Sequence, residues 1–132
     1  MIAAHARLPG DMTMRMIAHA ERAAPSEACG LVAYDVAGRP VRLYRLTNVE
    51  ADPRQFEIDP VEHYRTILEA ESQGLRIGAV YHSHPYGPAR PSRTDLEAGI
   101  DRDWISFIVS RQGRGWRVLP FAMVGGSTVR LL

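Results

Sequence analysis

The chain reads as an α/β protein: one mixed β-sheet with α-helices packed against it. Three observations predict this. Short runs rich in Val, Ile and Leu have strand length and composition, whereas other segments repeat apolar residues at helical spacing. Gly, Pro and Asn fall between the runs as turn residues. The resulting order, α-β-β-β-α-β-α-β-β-β, mixes the two kinds of element along one chain. The 132 residues suffice for one core, so residues 1–132 are expected to form a single domain.

Taken in order, Asp11 or Thr13 is a candidate cap for a helix carrying Met14, Ile17, Ala18 and Ala20, ending before Pro25. Leu31 to Val36 reads as a strand, and Gly38-Arg39-Pro40 turns into a second one, Val41 to Leu46. After a loop from Asn48 to Arg54, Phe56 to Ile58 fits a short edge strand. Asp59-Pro60 then opens a helix with Pro in its first turn. Val61, Tyr64, Ile67 and Leu68 repeat along it, and Gly74 ends it. Arg76 to Tyr81 is a strand, and Tyr86 to Pro91 is loop. Ser92 caps a short helix reaching Ile100. Trp104 to Val109, Trp116 to Val124 and Val129 to Leu132 complete the strands, with Gly113 and Gly115 marking a hairpin.

Bulk properties narrow the function classes. A formal net charge of +1 gives no support to nucleic-acid or membrane binding. All 16 basic residues are Arg, so mechanisms needing a lysine nucleophile or Schiff base are excluded, as is modification through a lysine isopeptide. The single cysteine, Cys29, forms no internal disulfide and suits a reducing compartment. The first ten residues lack the apolar core of a signal peptide, and no segment has membrane-spanning length. A cytoplasmic protein is expected.

Chemistry concentrates in His82-Ser83-His84-Pro85. On a strand, residues two apart face one side, so both imidazoles enter one space. Asp95, eleven residues beyond His84, can return an oxygen ligand. Two nitrogens and one oxygen, with a position left for water, are the donor set of a catalytic zinc. Glu27, just ahead of the first strand, is the candidate base for the water, and Ser92 the candidate oxyanion donor. Each has a plainer reading: Glu27 as a solvated loop carboxylate, Ser92 as a helix cap, Asp95 as a charge at a helix N-terminus. Spacing from His84 favours ligation for Asp95, the two roles of Ser92 can coexist, and Glu27 taken alone favours the plainer reading.

Glu27, then His82-Ser83-His84, seven residues, Ser92, two residues and Asp95, resembles the signature of the JAMM (MPN+) zinc metalloproteases at every position. Glu27-Ala28-Cys29-Gly30-Leu31, Thr47-Asn48 and Phe56-Glu57-Ile58-Asp59-Pro60 resemble the small prokaryotic members. The resemblance implies a cytidine-deaminase-like α/β fold and one zinc per chain, held by His82, His84, Asp95 and water. It implies Glu27 as general acid/base and Ser92 as oxyanion stabiliser. It also implies hydrolysis of the peptide or isopeptide bond after the C-terminal glycine of a ubiquitin-like or sulfur-carrier (ThiS/MoaD-type) protein, some members releasing cysteine. The short segments between shared elements favour a simple peptidase over a linkage-specific deubiquitinase. Ser83 is read as orienting a ligand from behind, and Pro85 as shaping the loop.

Other readings stand beside this one. A thiol mechanism at Cys29 lacks a neighbouring positive charge. A non-catalytic scaffold of the same fold would be expected to lack a ligand, and a zinc hydrolase of small amides remains an alternative. The nucleobase-deaminase branch needs a Cys-x-x-Cys pair that one cysteine cannot supply. His5, His19 and His63 are read as surface residues. Tyr86, Arg90 and Arg93 flank the metal loop as weak candidates for substrate contact. Trp104, Phe107 and Trp116 are read as packing residues. The oligomeric state is left open, a homo-oligomer included.

Overall fold

The computed structural model describes residues 5–92, 95, 103–124 and 127–132. Two helices, α1 (Gly10–Ala23) and α2 (Pro60–Ser72), accompany six strands. These are β1 (Cys29–Tyr34), β2 (Pro40–Leu46), β3 (Arg76–His84), β4 (Ile105–Gln112), β5 (Gly115–Val124) and β6 (Ser127–Arg130). They form one sheet in the order β2-β1-β3-β4-β5-β6. Every neighbouring pair is antiparallel except β3 and β4, which run parallel. The mixed α/β sheet expected from the sequence is therefore present. A parallel pair needs a crossover, and it leaves from the carboxyl end of β3, just after the two histidines.

The two faces of the sheet are covered separately. Val32, Tyr34, Ala79, Tyr81, Phe107 and Val109 pack with Met12, Met16 and Ala20 of α1. Cys29, Leu31, Ala33 and Val80 pack with Phe56 and Ala70 on the α2 side. Beyond the register shift at Gly78, the alternation along β3 puts Ala79 and Tyr81 on the α1 face and Val80 and His82 on the α2 face.

Several boundaries differ from the sequence reading, each for a local reason. The α1 cap is Pro9, whose carbonyl accepts from Met12 and Thr13, so Asp11 lies inside the first turn. Its buried stripe is Met12, Met16 and Ala20, with Met14 exposed. β1 starts at Cys29, where pairing with Leu46 and His82 begins, and ends before Asp35. The Asp35 carboxylate accepts from the amides of Ala37 and Arg39, closing a turn that leaves Val36 outside. Phe56 to Ile58 makes a single bridge, Asn48 to Ile58, in place of a strand. In α2 the Asp59 side chain caps Val61 and Glu62 as expected, but Thr66 and Ala70 are buried and Val61, Tyr64 and Leu68 are exposed. Small side chains let this helix approach the sheet, which rotates the larger ones outward. β3 continues through His84, and β6 begins two residues earlier than expected. Of the helix expected from Ser92 to Ile100, only Asp95 among its helical positions lies within the described residues, and it is helical.

Candidate metal centre

β3 is an interior strand. His82 lies opposite Cys29 of β1 on one side and Ile108 of β4 on the other. Its backbone is thereby fixed by two ladders, and its side chain inherits that rigidity. His82 and His84 share the α2-side face of the strand end, and both are buried. Their Nε2 atoms are 3.1 Å apart. Asp95 Oδ2 lies 2.9 Å from His82 Nε2 and 3.0 Å from His84 Nε2. With Glu27, also buried, these residues place one donor atom each within 4.8 Å of one another. All four metal-site and base candidates of the sequence are thus brought together.

The loop after β3 positions Asp95. The Ser92 hydroxyl accepts from the Asp95 amide at 3.1 Å, and Asp95 Oδ2 accepts from the Ser92 amide at 2.7 Å. This reciprocal pair is a capping box with aspartate as its acid. The Ser92 hydroxyl itself serves the cap, through a lone pair, and its proton stays available for another acceptor. Pro85 is buried where the strand ends. His84 Nδ1 lies 2.9 Å from the Pro88 carbonyl, which only accepts. Nδ1 therefore carries a hydrogen, and Nε2 is the ring atom turned toward Asp95 and His82.

The electrostatics follow from burial and contact. Burial would raise the Asp95 carboxyl, but hydrogen bonds from His82 and His84 outweigh it and hold the group well below the usual carboxylate range. Burial lowers His82, overcoming the pull of Asp95, and so favours the neutral imidazole. Burial opposes charge on His84 too, but contacts with Asp95 and the Pro88 carbonyl leave it raised. Glu27 is pushed up to about 7, chiefly by burial, against the charge of His84 and with the help of Asp95 and Asp52. Its Oε1 has no hydrogen-bond partner among the described residues.

Three contributions were not legible from the sequence. Phe56 lies on the His82 ring. Asn48 donates from Nδ2 to the Glu27 carbonyl at 2.9 Å. The Pro88 carbonyl fixes the His84 tautomer. The Thr47-Asn48 pair and Phe56 were signals only through the family resemblance of their segments. Ser83 turns away from the histidines, and its hydroxyl accepts from the Ala28 amide at 2.7 Å. Its partner is the segment carrying Glu27, where orientation of a ligand was expected. Cys29 is buried with its thiol pushed up to about 12, first by burial and then by Glu62 and Glu27, which disfavours a thiolate nucleophile. His19 is half-buried and hydrogen-bonded to the Tyr81 hydroxyl at 2.7 Å, and neither His5 nor His63 is fully exposed. Tyr86 and Arg90 are exposed, while Arg93 lies outside the described residues. A cavity of about 340 Å³ opens beside Glu27, with His19, Ser26, Leu46, Asn48 and Glu50 among its walls.

Residues 9–120 match the family described as prokaryotic homologs of the JAB domain. The chain belongs to this family. The match agrees with the JAMM (MPN+) signature read from the motif. The chain is 35% identical over 101 residues to a CysO-cysteine peptidase of Mycobacterium tuberculosis, covering 76% of this chain and 69% of that one. It is 40% identical over 125 residues to a Thermus thermophilus protein named "Probable TtuB-protein conjugate cleaving protease", covering 93% and 72%. The solution structure of a Desulfitobacterium hafniense protein superposes with a TM-score of 0.81 at 28% identity, covering 93% of this chain and 87% of that one. In this JAB-family chain, among the described residues, no helix is long and apolar enough to cross a membrane.

Proposed function

We propose that this chain is a zinc-dependent peptidase or isopeptidase that hydrolyses the bond after the C-terminal glycine of a ubiquitin-like or sulfur-carrier protein. The observation that carries this reading is the buried triangle of His82 Nε2, His84 Nε2 and Asp95 Oδ2, with sides of 2.9 to 3.1 Å. Zinc ligands about 2.0–2.1 Å from a tetrahedral ion stand about 3.3 Å from one another. The donor triangle is close to that size, and the Pro88 carbonyl takes His84 Nδ1, which leaves Nε2 as the corner that would ligate. Two imidazole nitrogens and one carboxylate oxygen match the donor set of an open catalytic site. The residues present therefore fit zinc, held by His82, His84 and Asp95.

When bound there, zinc supplies Lewis acidity and lowers the pKa of a water toward about 7. Glu27 accepts the proton from the attacking water and returns it to the departing amine. A carboxyl poised by burial near neutrality suits both transfers. Ser92, whose hydroxyl proton is not used by its cap, donates to the oxyanion of the tetrahedral intermediate. β2 lies at the edge of the sheet, and its last residue, Leu46, lines the cavity beside Glu27. An extended Gly-Gly tail adds along such an edge, where only small residues pass.

The names of the relatives support a carrier or its conjugate as substrate. One sheet running through the described residues supports residues 1–132 as a single domain. The lone, buried thiol of Cys29 supports a cytoplasmic site of action. The test is to incubate zinc-loaded wild type and Glu27→Ala with a ubiquitin-like carrier extended beyond its Gly-Gly end, following intact mass. Cleavage after the glycine by wild type alone is expected. No cleavage by the zinc-bound wild type would defeat the reading.

A further inference from the structure

We propose that Ser83 and Asn48 are positioning residues that together aim Glu27, by clamping the Glu27–Ala28 peptide from two sides. The inference deepens the peptidase reading and rests on it for the role of Glu27. Glu27 sits in the short connection between α1 and β1, and Ala28 immediately precedes the first ladder residue, Cys29. Both residues are buried, so their main-chain groups cannot rely on water. Such a connection would ordinarily be the least fixed part of the site.

The structure supplies three bonds there. The Ser83 amide donates to the Ala28 carbonyl at 3.0 Å, extending the β1–β3 ladder by one residue. The Ala28 amide then donates to Ser83 Oγ at 2.7 Å, so a side chain takes the place of a strand carbonyl. Asn48 Nδ2 donates to the Glu27 carbonyl at 2.9 Å.

Each partner is itself immobilised. Ser83 is fully buried in the interior strand between His82 and His84, so the part that fixes both nitrogen donors also fixes the base. Asn48 spends its amide completely. Nδ2 also donates to the Gln55 carbonyl at 3.2 Å, and Oδ1 accepts from the amides of Glu50 at 2.9 Å and Glu57 at 3.0 Å. Its neighbour Thr47 is held through amide and hydroxyl by the Glu62 carboxylate at 2.7 and 2.8 Å. The base is thereby registered to β3 on one side and, through Thr47–Asn48, to the first turn of α2 on the other.

A base displaced by about 1 Å can cost about 100-fold in rate, whereas substrate binding need not change. Zinc-loaded Ser83→Ala and Asn48→Ala are compared with wild type on the extended carrier, with zinc content measured alongside. Expected is a kcat lower by about 10- to 100-fold with KM and zinc content near wild type, and recovery of most of the rate in Ser83→Thr, which keeps the hydroxyl. Rates within about twofold of wild type in both alanine variants would overturn the clamp, as would losses that only follow lost zinc. If Ser83→Ala does not fold, Asn48→Ala carries the decision alone. A second readout is independent of turnover: the carbon-13 resonance of the Glu27 carboxyl in substrate-free protein. One narrow signal in wild type that broadens or splits in the variants supports the clamp; identical signals in all proteins refute it. A wild type that cleaves nothing would defeat the proposed function, while this resonance would still decide the clamp.

Discussion

Phe56 lies almost flat on the imidazole of His82, with ring centroids 4.3 Å apart and planes 17° from parallel. Phe56 comes from the segment between β2 and α2, far in sequence from β3. The contact ties that segment to one corner of the donor triangle. An offset aromatic pair contributes about 0.5–1.5 kcal/mol beyond area burial. Phe56→Leu keeps an apolar cover but removes the flat face. Zinc affinity, measured by chelator competition, is expected to fall about threefold to tenfold with little change in secondary structure. An unchanged affinity would show that the rotamer of His82 is set by its own strand alone.

The pH behaviour of Glu27 gives two opposite signatures. As general base it acts deprotonated, so activity rises with pH through its pKa. That value is about 7 in the metal-free protein, through burial first, and a bound dication beside it draws it down. The acid limb of the kcat profile is therefore expected to have its midpoint at or below 7. Stability runs the other way. A carboxyl raised in the folded state makes the fold bind more protons than the unfolded chain between about 4.5 and 7. Metal-free wild type should lose that stability as pH rises through this window. Glu27→Gln should melt a few degrees higher than wild type at pH 8 and alike below pH 4.5. Equal melting temperatures at both pH values would contradict the burial argument.

Much of the fold and the centre of the site were legible because they rest on short-range rules. His82 and His84 share a face through the period of a strand, and Ser92 and Asp95 face one another through the spacing of a cap. What the sequence did not disclose depends on packing between elements. The exposed stripe of Val61, Tyr64 and Leu68 has the spacing of a buried face, and only the close approach of Thr66 and Ala70 to the sheet decides which stripe is inside. His19 has no partner at any local spacing, since Tyr81 lies 62 residues away. The roles of Ser83 and Asn48 belong to backbone groups of Glu27 and Ala28, which no side-chain pattern announces.

Gly30 is another such position, one residue after Cys29 on β1. A methyl group there would fall on the Tyr44 carbonyl and on the ring of Tyr81. Neither neighbour is free to retreat: the first is backbone of the paired strand, and the second is pinned by its hydrogen bond to His19. Overpacking of a full core costs about 1–3 kcal/mol. Gly30→Ala is expected to lower the melting temperature by several degrees and, because Tyr81 adjoins His82, to weaken zinc binding as well. A variant that melts with wild type would mean the ring can swing aside.

Removal of the metal is the most direct measure of how far the site is built for one. Without a cation, His82 Nε2, His84 Nε2 and Asp95 Oδ2 crowd one another, and only shared protons relieve the contact. With the ion bound to the folded state alone, free zinc at a hundredfold above its Kd adds about 2.7 kcal/mol of stability. For a chain of 132 residues this corresponds to about 10 °C in melting temperature. Zinc should therefore raise the melting temperature of chelator-treated protein, and magnesium, which prefers six oxygen ligands, should not. Asp95→Asn removes the charge at the third corner and should abolish most of the zinc effect while leaving the sheet intact. A melting temperature indifferent to zinc in the wild type would mean that the buried triangle is held by protons, and the metal reading would fall with it.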